Sequence, residues 1–340
     1  MYNFAGSNTS KYRIARAVKW MALMLCVGSL PFGYSVVAQA AQITFNFTYD
    51  DQVDSTGVGF DDAKNGAAAR GALQAEANYI ASVLAVNVNR TVNIEVLDSP
   101  TANGDSNLAT ANVQYGPDPG KAMFLPTSAQ SIIQTGVNPA TKAATLEFNF
   151  AADTPWQFGT TVDNAHFDFR SVALHELSHH LGWASVIESD GSGIGTSSLV
   201  YGVYDQFVSS YNGTNYVKFV TTDGSGKPTG HQAAAQLIDV AHHLKFDGPF
   251  SSDEGGPFDL TTLNPFKDGS SVSHFSNLAD VMGDSSAMGQ GAQIYSPADM
   301  SVLKDLGYQL GVPEPGTLTL VALGFATIVG AQRLRRLRGR

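Results

Sequence analysis

The sequence predicts an α+β fold: a mixed, twisted sheet packed against helices, followed by a loop-rich second half. Three observations predict it. Apolar and polar residues alternate in four short segments between residues 43 and 150, which is typical of half-buried strands. Two segments in the same half, together with a third near residue 300, have the spacing or capping residues of helices. Residues 183–273 are rich in Gly, Ser, Thr and Asp and have neither pattern, which is typical of loops.

The first half combines strands with a long helix. Ile43, Phe45 and Phe47 alternate with polar residues and predict the first strand. An Ala-rich stretch follows, in which Asp61 and Asp62 suit the first turn of a helix. Apolar residues at 73, 77, 80 and 84 would give this helix one buried face, so we expect it to back the sheet. Further strands are predicted at residues 92–96, 111–115 and 146–150.

A second helix is predicted from Asp168, a suitable N-cap, to Gly182, a suitable residue after the last turn. In the loop-rich half the sequence predicts a short helix at residues 231–244. A C-terminal helix is predicted from residues 296–299 (SPAD), because Ser is a good N-cap, Pro suits the first helical position and Asp the third. This helix should end before Gly307.

The charge distribution argues against a nucleic-acid partner. The net charge of the chain is −10 and each terminal segment contributes +4, which leaves −18 on residues 41–312. Proteins that bind nucleic acids draw much of their affinity from basic surfaces that neutralise phosphates. The chain is also 43% hydrophobic, which excludes a disordered acidic tail. We therefore expect a folded domain that does not bind nucleic acid.

The N-terminus has the three parts of a secretory signal peptide. A basic segment precedes the apolar run 20–30, and Ala38-Gln39-Ala40 follows as a small-residue cleavage site. The apolar run is shorter than the roughly 20 residues needed to span a bilayer. We expect residues 1–40 to be removed on export. Since Cys26 is the only cysteine, the exported domain (residues 41–311) would have neither a disulfide nor a reactive thiol.

The C-terminal residues 312–340 also have three parts. Val312-Pro313-Glu314-Pro315 comes first, the apolar segment 316–331 follows, and a cluster of arginines ends the chain. This order resembles the PEP-CTERM sorting signal of Gram-negative bacteria. The resemblance implies export across the inner membrane to the cell surface, the extracellular matrix or the medium, with an exosortase-type sorting enzyme as partner. It also implies a transmembrane segment at 316–331, the one part expected in a membrane; an ordinary tail anchor is the alternative.

The segment HELSHHLGW, residues 175–183, carries the motif with a chemical function. His175 and His179 are four residues apart, so a helix places both imidazoles on one face, where they can share one Zn²⁺ at about 2.0–2.1 Å. Glu176 is offset by about 100° from His175 and is placed to act as a general base on a metal-activated water. A catalytic zinc needs a third protein ligand and keeps one position open for water.

This segment resembles the signature of the metzincin zinc metalloproteases, H-E-x-x-H-x-x-G-x-x-H, which a methionine turn follows later in the chain. His175, Glu176, His179 and Gly182 match the signature. Ser185 stands where the third histidine of the signature would fall. In the leishmanolysin-like branch of this clan, a long insertion follows the glycine and the third histidine lies shortly before the methionine turn. The resemblance to this branch therefore implies a third histidine farther along the chain, so Ser185 does not need to be a ligand.

Two segments near the end of the loop-rich half resemble the leishmanolysin-like ending. Ser273-His274-Phe275 is followed by Asp280-Val281-Met282-Gly283. The resemblance implies that His274 is the third zinc ligand and that Met282 lies in the turn beneath the metal. It also implies a metzincin-like zincin: a sheet with a backing helix and an active-site helix (residues 41–182), then a loop-rich C-terminal subdomain with the Met-turn and a C-terminal helix (residues 183–311).

Other residues offer weaker alternatives. His242 and His243 could supply the third ligand, although solvated histidines are the more ordinary interpretation. Glu188 could serve as a carboxylate ligand, but such ligands usually come from a second helix farther along the chain. Tyr295 could stabilise an oxyanion, although a core aromatic is more ordinary. His166 and His180 are expected to be structural or surface residues. Ca²⁺ sites in the loops at 189–191 and 252–254 lack the spacing of an EF-hand and are unsupported.

Together these features lead us to expect a secreted zinc-dependent metalloendopeptidase that hydrolyses a protein or peptide substrate, with Glu176 as general base. Two alternatives remain. One is a non-catalytic matrix or adhesion protein of a biofilm, against which Glu176 argues, because a structural zinc does not need that carboxylate. The other is a metal-dependent hydrolase of a non-peptide bond, such as an ester in an exopolysaccharide. Residues 183–273, which form part of the cleft, would decide between substrates.

Overall fold

The computed structural model describes residues 41–49, 57–99, 107–116, 123–138, 144–151, 154–194 and 199–311. The predicted signal peptide (residues 1–40) and the predicted sorting tail (residues 312–340, with its apolar segment 316–331) lie outside the described residues. Among the described residues, none of the helices has the length and hydrophobicity needed to span a bilayer.

The described residues have the predicted α+β fold. The helices are α1 (Gly66–Val83), α2 (Ser128–Thr135), α3 (Phe169–His180), α4 (Pro249–Asp253) and α5 (Pro297–Asp305), with 3-10 turns at Gly59–Asp61, Val203–Phe207 and Ala234–Ile238. The strands are β1 (Ile43–Tyr49), β2 (Arg90–Ser99), β3 (Ala109–Asn112), β4 (Met123–Leu125), β5 (Ala144–Asn149), β6 (Trp156–Gln157), β7 (Phe167–Asp168), β8 (Val200–Gly202), β9 (Val208–Tyr211), β10 (Tyr216–Lys218), β11 (Val220–Thr222), β12 (Pro228–His231), β13 (Lys245–Phe246) and β14 (Phe258–Asp259).

A four-stranded mixed sheet in the order β1-β2-β5-β3 forms the first half. β1, β2 and β5 run parallel, and β3 pairs antiparallel with β5 at the edge. The alternating apolar residues of each strand point to one face, where they are buried with the apolar stripe of α1. The predicted third strand is shorter than expected, because Tyr115 forms only an isolated bridge with Thr127.

The backing helix α1 forms as predicted and buries Leu73, Ala77 and Ile80. The expectation that Asp61 and Asp62 occupy its first turn is wrong. Asp61 ends a 3-10 turn that precedes the helix, and the Asp62 carboxylate accepts the backbone N–H groups of Lys64 and Asn65, the two residues before the helix. The cause is tertiary: Phe60 in that turn is fully buried against an aromatic cluster, so the helix begins only at Gly66.

The histidine-bearing helix α3 has the predicted ends. The Asp168 carboxylate accepts the N–H of Ser171 at 3.1 Å, as an N-cap does. Gly182 follows the helix at a φ of +97°, a left-handed conformation that favours glycine. α2, which the sequence analysis did not predict, packs beside α3, and the Thr127 hydroxyl at its N-cap donates to the carbonyl of His180 at 2.5 Å.

The second half contains more strands than the sequence suggested. β10, β9, β13 and β14 form an antiparallel sheet, and β11 pairs with β12. The predicted helix at 231–244 is wrong: His231 ends β12, and only a 3-10 turn (Ala234–Ile238) follows. Pairing with distant segments, such as His231 with Val220, overrides the local pattern. α5 forms as predicted, with the Ser296 hydroxyl accepting the N–H of Asp299 at 3.1 Å.

Candidate metal centre

Three histidines converge on one point. α3 supplies His175 and His179, and His274 comes from the loop that follows β14. The Nε2 atom of His175 lies 3.1 Å from Nε2 of His179 and 3.1 Å from Nε2 of His274. All three ligand atoms lie within 4.8 Å of one another, and within the described ranges they form the only such group of three His, Cys, Asp or Glu side chains.

Each ring is fixed from behind by a backbone carbonyl. The Nδ1 atoms of His175, His179 and His274 lie 2.8, 2.6 and 2.9 Å from the carbonyl oxygens of Val281, Trp183 and Ser270. A carbonyl only accepts a hydrogen bond, so each Nδ1 carries the proton and donates. The neutral imidazole then has its lone pair on Nε2, which is the tautomer that binds a metal through Nε2.

The donor set fits a divalent metal ion. Three Nε2 lone pairs that face one another repel unless a cation lies between them. Two nitrogens that are each about 2.05 Å from a tetrahedral zinc are about 3.3 Å apart, close to the 3.1 Å observed here. The sequence analysis singled out the three histidines but not these carbonyl partners, because a backbone group leaves no signal in the sequence.

Burial keeps the three imidazoles neutral. It lowers the pKa of His175 to about 3, with the neighbouring His274 lowering it further. Burial also lowers the pKa of His179 and of His274 below the ordinary histidine value. A histidine must be unprotonated to bind a metal, so this environment favours the ligand form over the physiological pH range.

Glu176 lies beside the first ligand and is 7% exposed. Burial raises the pKa of its carboxyl to about 8, while a hydrogen bond from the backbone N–H of Ala111 acts in the opposite direction. Ala111 belongs to β3, so the carboxyl of Glu176 lies next to the edge strand of the central sheet. A carboxyl with a raised pKa can take up and release a proton near neutral pH.

The segment 280–283 connects two of the three histidines. The Val281 carbonyl accepts the Nδ1 proton of His175, and the Met282 carbonyl accepts the N–H of Phe275 at 2.7 Å, directly after His274. Met282 is fully buried. The turn that the sequence analysis singled out therefore lies against the residues that hold the histidine cluster.

The other candidates lie elsewhere. His242 is exposed, pairs with Asp239 and stacks on Tyr211, and His243 and Glu188 are also exposed outside the cluster. The Ser185 N–H donates to the Ser273 hydroxyl, and the Tyr295 hydroxyl contacts that of Ser178. His166 is half-buried beside Asp163, and His180, the last residue of α3, is buried. In the loop at 189–191, the Asp190 carboxylate accepts the N–H of Ser192.

The comparison with known families concerns the end of the chain. The family described as PEP-CTERM protein-sorting motif matches residues 311–336. The chain carries a PEP-CTERM sorting motif. This motif is recognised by exosortases and implies export to the cell envelope or surface in Gram-negative bacteria. It confirms the sorting signal predicted from the tail, and it lies after the histidine cluster, so it bears on location rather than on chemistry. No curated protein matches the chain.

Proposed function

We propose that the exported chain is a zinc-dependent metalloendopeptidase of metzincin-like, leishmanolysin-like architecture. One observation carries the proposal: three Nε2 atoms converge, each from a ring whose Nδ1 is fixed by a carbonyl, and a buried glutamate follows the first of them. His175, His179 and His274 would hold the metal. Bound there, zinc would supply a Lewis acid for a carbonyl and lower the pKa of a water.

Glu176 would act as the proton carrier. Its carboxylate accepts a proton from the attacking water, and the resulting carboxylic acid returns the proton to the leaving amine. Burial raises the pKa of this carboxyl, so its protonated form is stable enough to hold the proton between the two transfers. A structural metal site would have no use for this carboxyl.

The edge strand β3 favours a peptide as the substrate. Within the described residues β3 pairs only with β5, and the N–H of Ala111 at its other edge faces Glu176. An extended peptide can add to such an edge through main-chain hydrogen bonds, which would place its carbonyl groups beside the glutamate. A sugar ester has no main chain to align in this way, so we place the hydrolase of a non-peptide bond second.

Three further features support the metzincin-like architecture. Helix α3 ends at a left-handed glycine, a long excursion separates it from His274, and the buried Met282 follows in a turn that contacts the histidine cluster. The sorting motif adds a location at the cell envelope or surface, where proteins of the matrix or the surroundings would be the substrates.

The test uses the full chain, its zinc content measured by mass spectrometry and its cleavage of a labelled casein. Glu176→Gln should keep one zinc per chain and reduce turnover at least about 100-fold, the ordinary cost of losing a positioned general base. Glu188→Gln, a matched change at an exposed glutamate, should behave like the wild type. Equal turnover in Glu176→Gln would refute the enzyme, and zinc binding without any cleavage of casein would favour the adhesion protein.

A further inference from the structure

The loop directly after α3 contacts His179 and also Ser273, the residue before His274. The Trp183 carbonyl accepts the Nδ1 proton of His179 at 2.6 Å. Two residues later, the N–H of Ser185 donates to the hydroxyl of Ser273 at 3.1 Å, and Ser273 precedes His274. Residues 183–186 have no regular secondary structure: the N–H of Trp183 donates back to the carbonyl of Ser178 in α3 at 3.3 Å, whereas the N–H groups of Ser185 and Val186 donate to side chains.

Asp205 fixes this loop from the 3-10 turn Val203–Phe207. Its side chain is fully buried, and its Oδ2 accepts the N–H of Val186 at 3.3 Å and the N–H of Gly202 at 2.8 Å. The Ser185 hydroxyl also hydrogen-bonds to the carboxylate. Asp205 has no ion-pair partner in the portion of the chain that the structure describes. Its contacts are therefore hydrogen bonds from the loop it holds and from the start of its own turn.

The neighbouring residue contacts the other ligand-bearing segment. The hydroxyl of Tyr204, which is fully buried, donates to the carbonyl of Val272 at 3.1 Å. Val272 lies two residues before His274 and has a φ of +74°, a left-handed conformation that is strained for a β-branched residue. One short turn thus holds the loop behind His179 through Asp205 and the loop before His274 through Tyr204.

We propose that Asp205 and Tyr204 are positioning residues of the metal centre, which set the orientation of His179 and His274 by holding the two loops that contact them. The inference rests on the metal site of the proposed function. A buried carboxylate costs free energy that apolar packing would not. What it offers in return is a fixed geometry for two donors of the loop, the Val186 N–H and the Ser185 hydroxyl, relative to the turn that Asp205 itself caps through the Gly202 N–H.

The test compares Asp205→Asn with Asp305→Asn in the full chain. Asp305 is a matched control, because its carboxylate is also buried and accepts two backbone N–H groups, those of Phe250 and Ser251 at 2.8 and 2.9 Å, in α4 away from the histidines. The first readout is the His179 tautomer in metal-free protein, measured by long-range proton–nitrogen NMR. The second is the zinc dissociation constant, measured in competition with a chromophoric chelator.

Asp205→Asn should convert His179 from the Nδ1–H tautomer to a mixture and weaken zinc binding roughly 10- to 100-fold, the usual cost of losing a partner behind the ligands. Asp305→Asn should leave both readouts unchanged, even where its melting temperature falls. Tyr204→Phe removes a single hydroxyl and is the variant to test if Asp205→Asn does not fold. It should weaken zinc binding, and the tautomer of His274 should become mixed.

The outcomes distinguish a failure of the positioning role from a failure of the proposed function. If the wild type binds zinc and both Asp205→Asn and Tyr204→Phe keep its tautomers and its affinity, the positioning role is wrong and the proposed function stands. If all variants, including Asp305→Asn, lose affinity equally, the effect is general destabilisation and the positioning role is again wrong. If the wild type binds no zinc, the proposed function fails, and the tautomer of His179 alone decides whether Asp205 positions it.

Discussion

The three histidine rings carry no proton on the atoms that face one another, since each donates its Nδ1 proton to a carbonyl. This arrangement explains why the cluster points to a metal rather than to a hydrogen-bonded network. Two of the rings, those of His175 and His274, lie nearly parallel at an angle of 12°, whereas His179 is almost perpendicular to both. Such an arrangement is rigid only if the loops behind the rings are rigid.

Replacement of His274 by Ala should lower zinc affinity by at least about 100-fold and abolish activity, because only two protein ligands would remain. His242→Ala and His243→Ala should change neither, because both rings are exposed and His242 already contacts Asp239 and Tyr211. Metal titration of the three variants measures the difference. Tight zinc binding in His274→Ala, with loss in either of the other two, would show that the leishmanolysin-like alignment of the second half is wrong.

Some residues of the candidate site could be predicted from the sequence, and others could not. His175, Glu176 and His179 lie within five residues, so helix geometry alone relates them. His274 lies 99 residues after His175, and only the resemblance to a family selected it among the other histidines. Asp205 and Tyr204 were missed altogether, since a buried carboxylate or tyrosine that holds a loop has no local pattern that distinguishes it from a surface or core residue.

At the scale of elements, helix α3 places His175 and His179 beside His274 only if its C-terminal end is fixed. Gly182 follows that end with a φ of +97°, and a Cβ there would lie 2.7 Å from Oε1 of Gln130. The Gln130 side chain in turn donates from Nε2 to the carbonyl of Leu306 at 2.7 Å, at the end of α5. One glycine thus lets α2, α3 and α5 approach one another at the end of the helix that carries His175 and His179.

Gly182→Ala should therefore lower the free energy of unfolding by about 1–3 kcal/mol, through backbone strain and contact with the amide of Gln130. Gly71→Ala is the matched control: it lies inside α1, and a Cβ there would meet nothing within 4 Å. That change should raise stability by about 0.5–1 kcal/mol, because alanine favours the helix. Urea unfolding of both variants provides the measurement. A Gly182→Ala protein as stable as Gly71→Ala would show that this glycine is dispensable.

The elements that the sequence predicted well have strong local signals. α3 and α5 begin at good N-caps, Asp168 and Ser296, and both are followed by left-handed glycines. α2 also has a capping box, formed by Thr127 and Gln130, and Ala129, Ile132 and Ile133 share one of its faces, so its signals were present in the sequence although this eight-residue helix was not predicted. The strands of the second half are only two to four residues long and pair with distant segments, so their positions depend on tertiary contacts.

At the scale of the whole molecule, the folded domain extends to the first residue of the sorting motif. The hydroxyl of Tyr308 donates to the carbonyl of Leu181 at 2.9 Å, directly after α3. The N–H of Ala85 donates to Gln309, and the N–H of Gly311 donates to Val83 at 2.7 Å. The motif matches from residue 311, so its first residue is still hydrogen-bonded to the domain. Residues 308–311 therefore belong to the fold, whereas the rest of the motif serves sorting.

This division predicts different outcomes for two truncations only a few residues apart. A chain that ends at Gly311 should unfold at the same urea concentration as the full chain, bind zinc and cleave casein equally well, and be released by cells instead of retained. A chain that ends at Gly307 should lose about 3–5 kcal/mol of stability, because it lacks the hydrogen bonds of residues 308–311 and the burial of Tyr308 and Leu310. Urea unfolding, zinc content and fractionation of expressing cells provide the measurements. If the chain that ends at Gly311 fails to fold or to bind zinc, the tail contributes to the domain itself. If the chain that ends at Gly307 is as stable as the full chain, residues 308–311 do not belong to the fold.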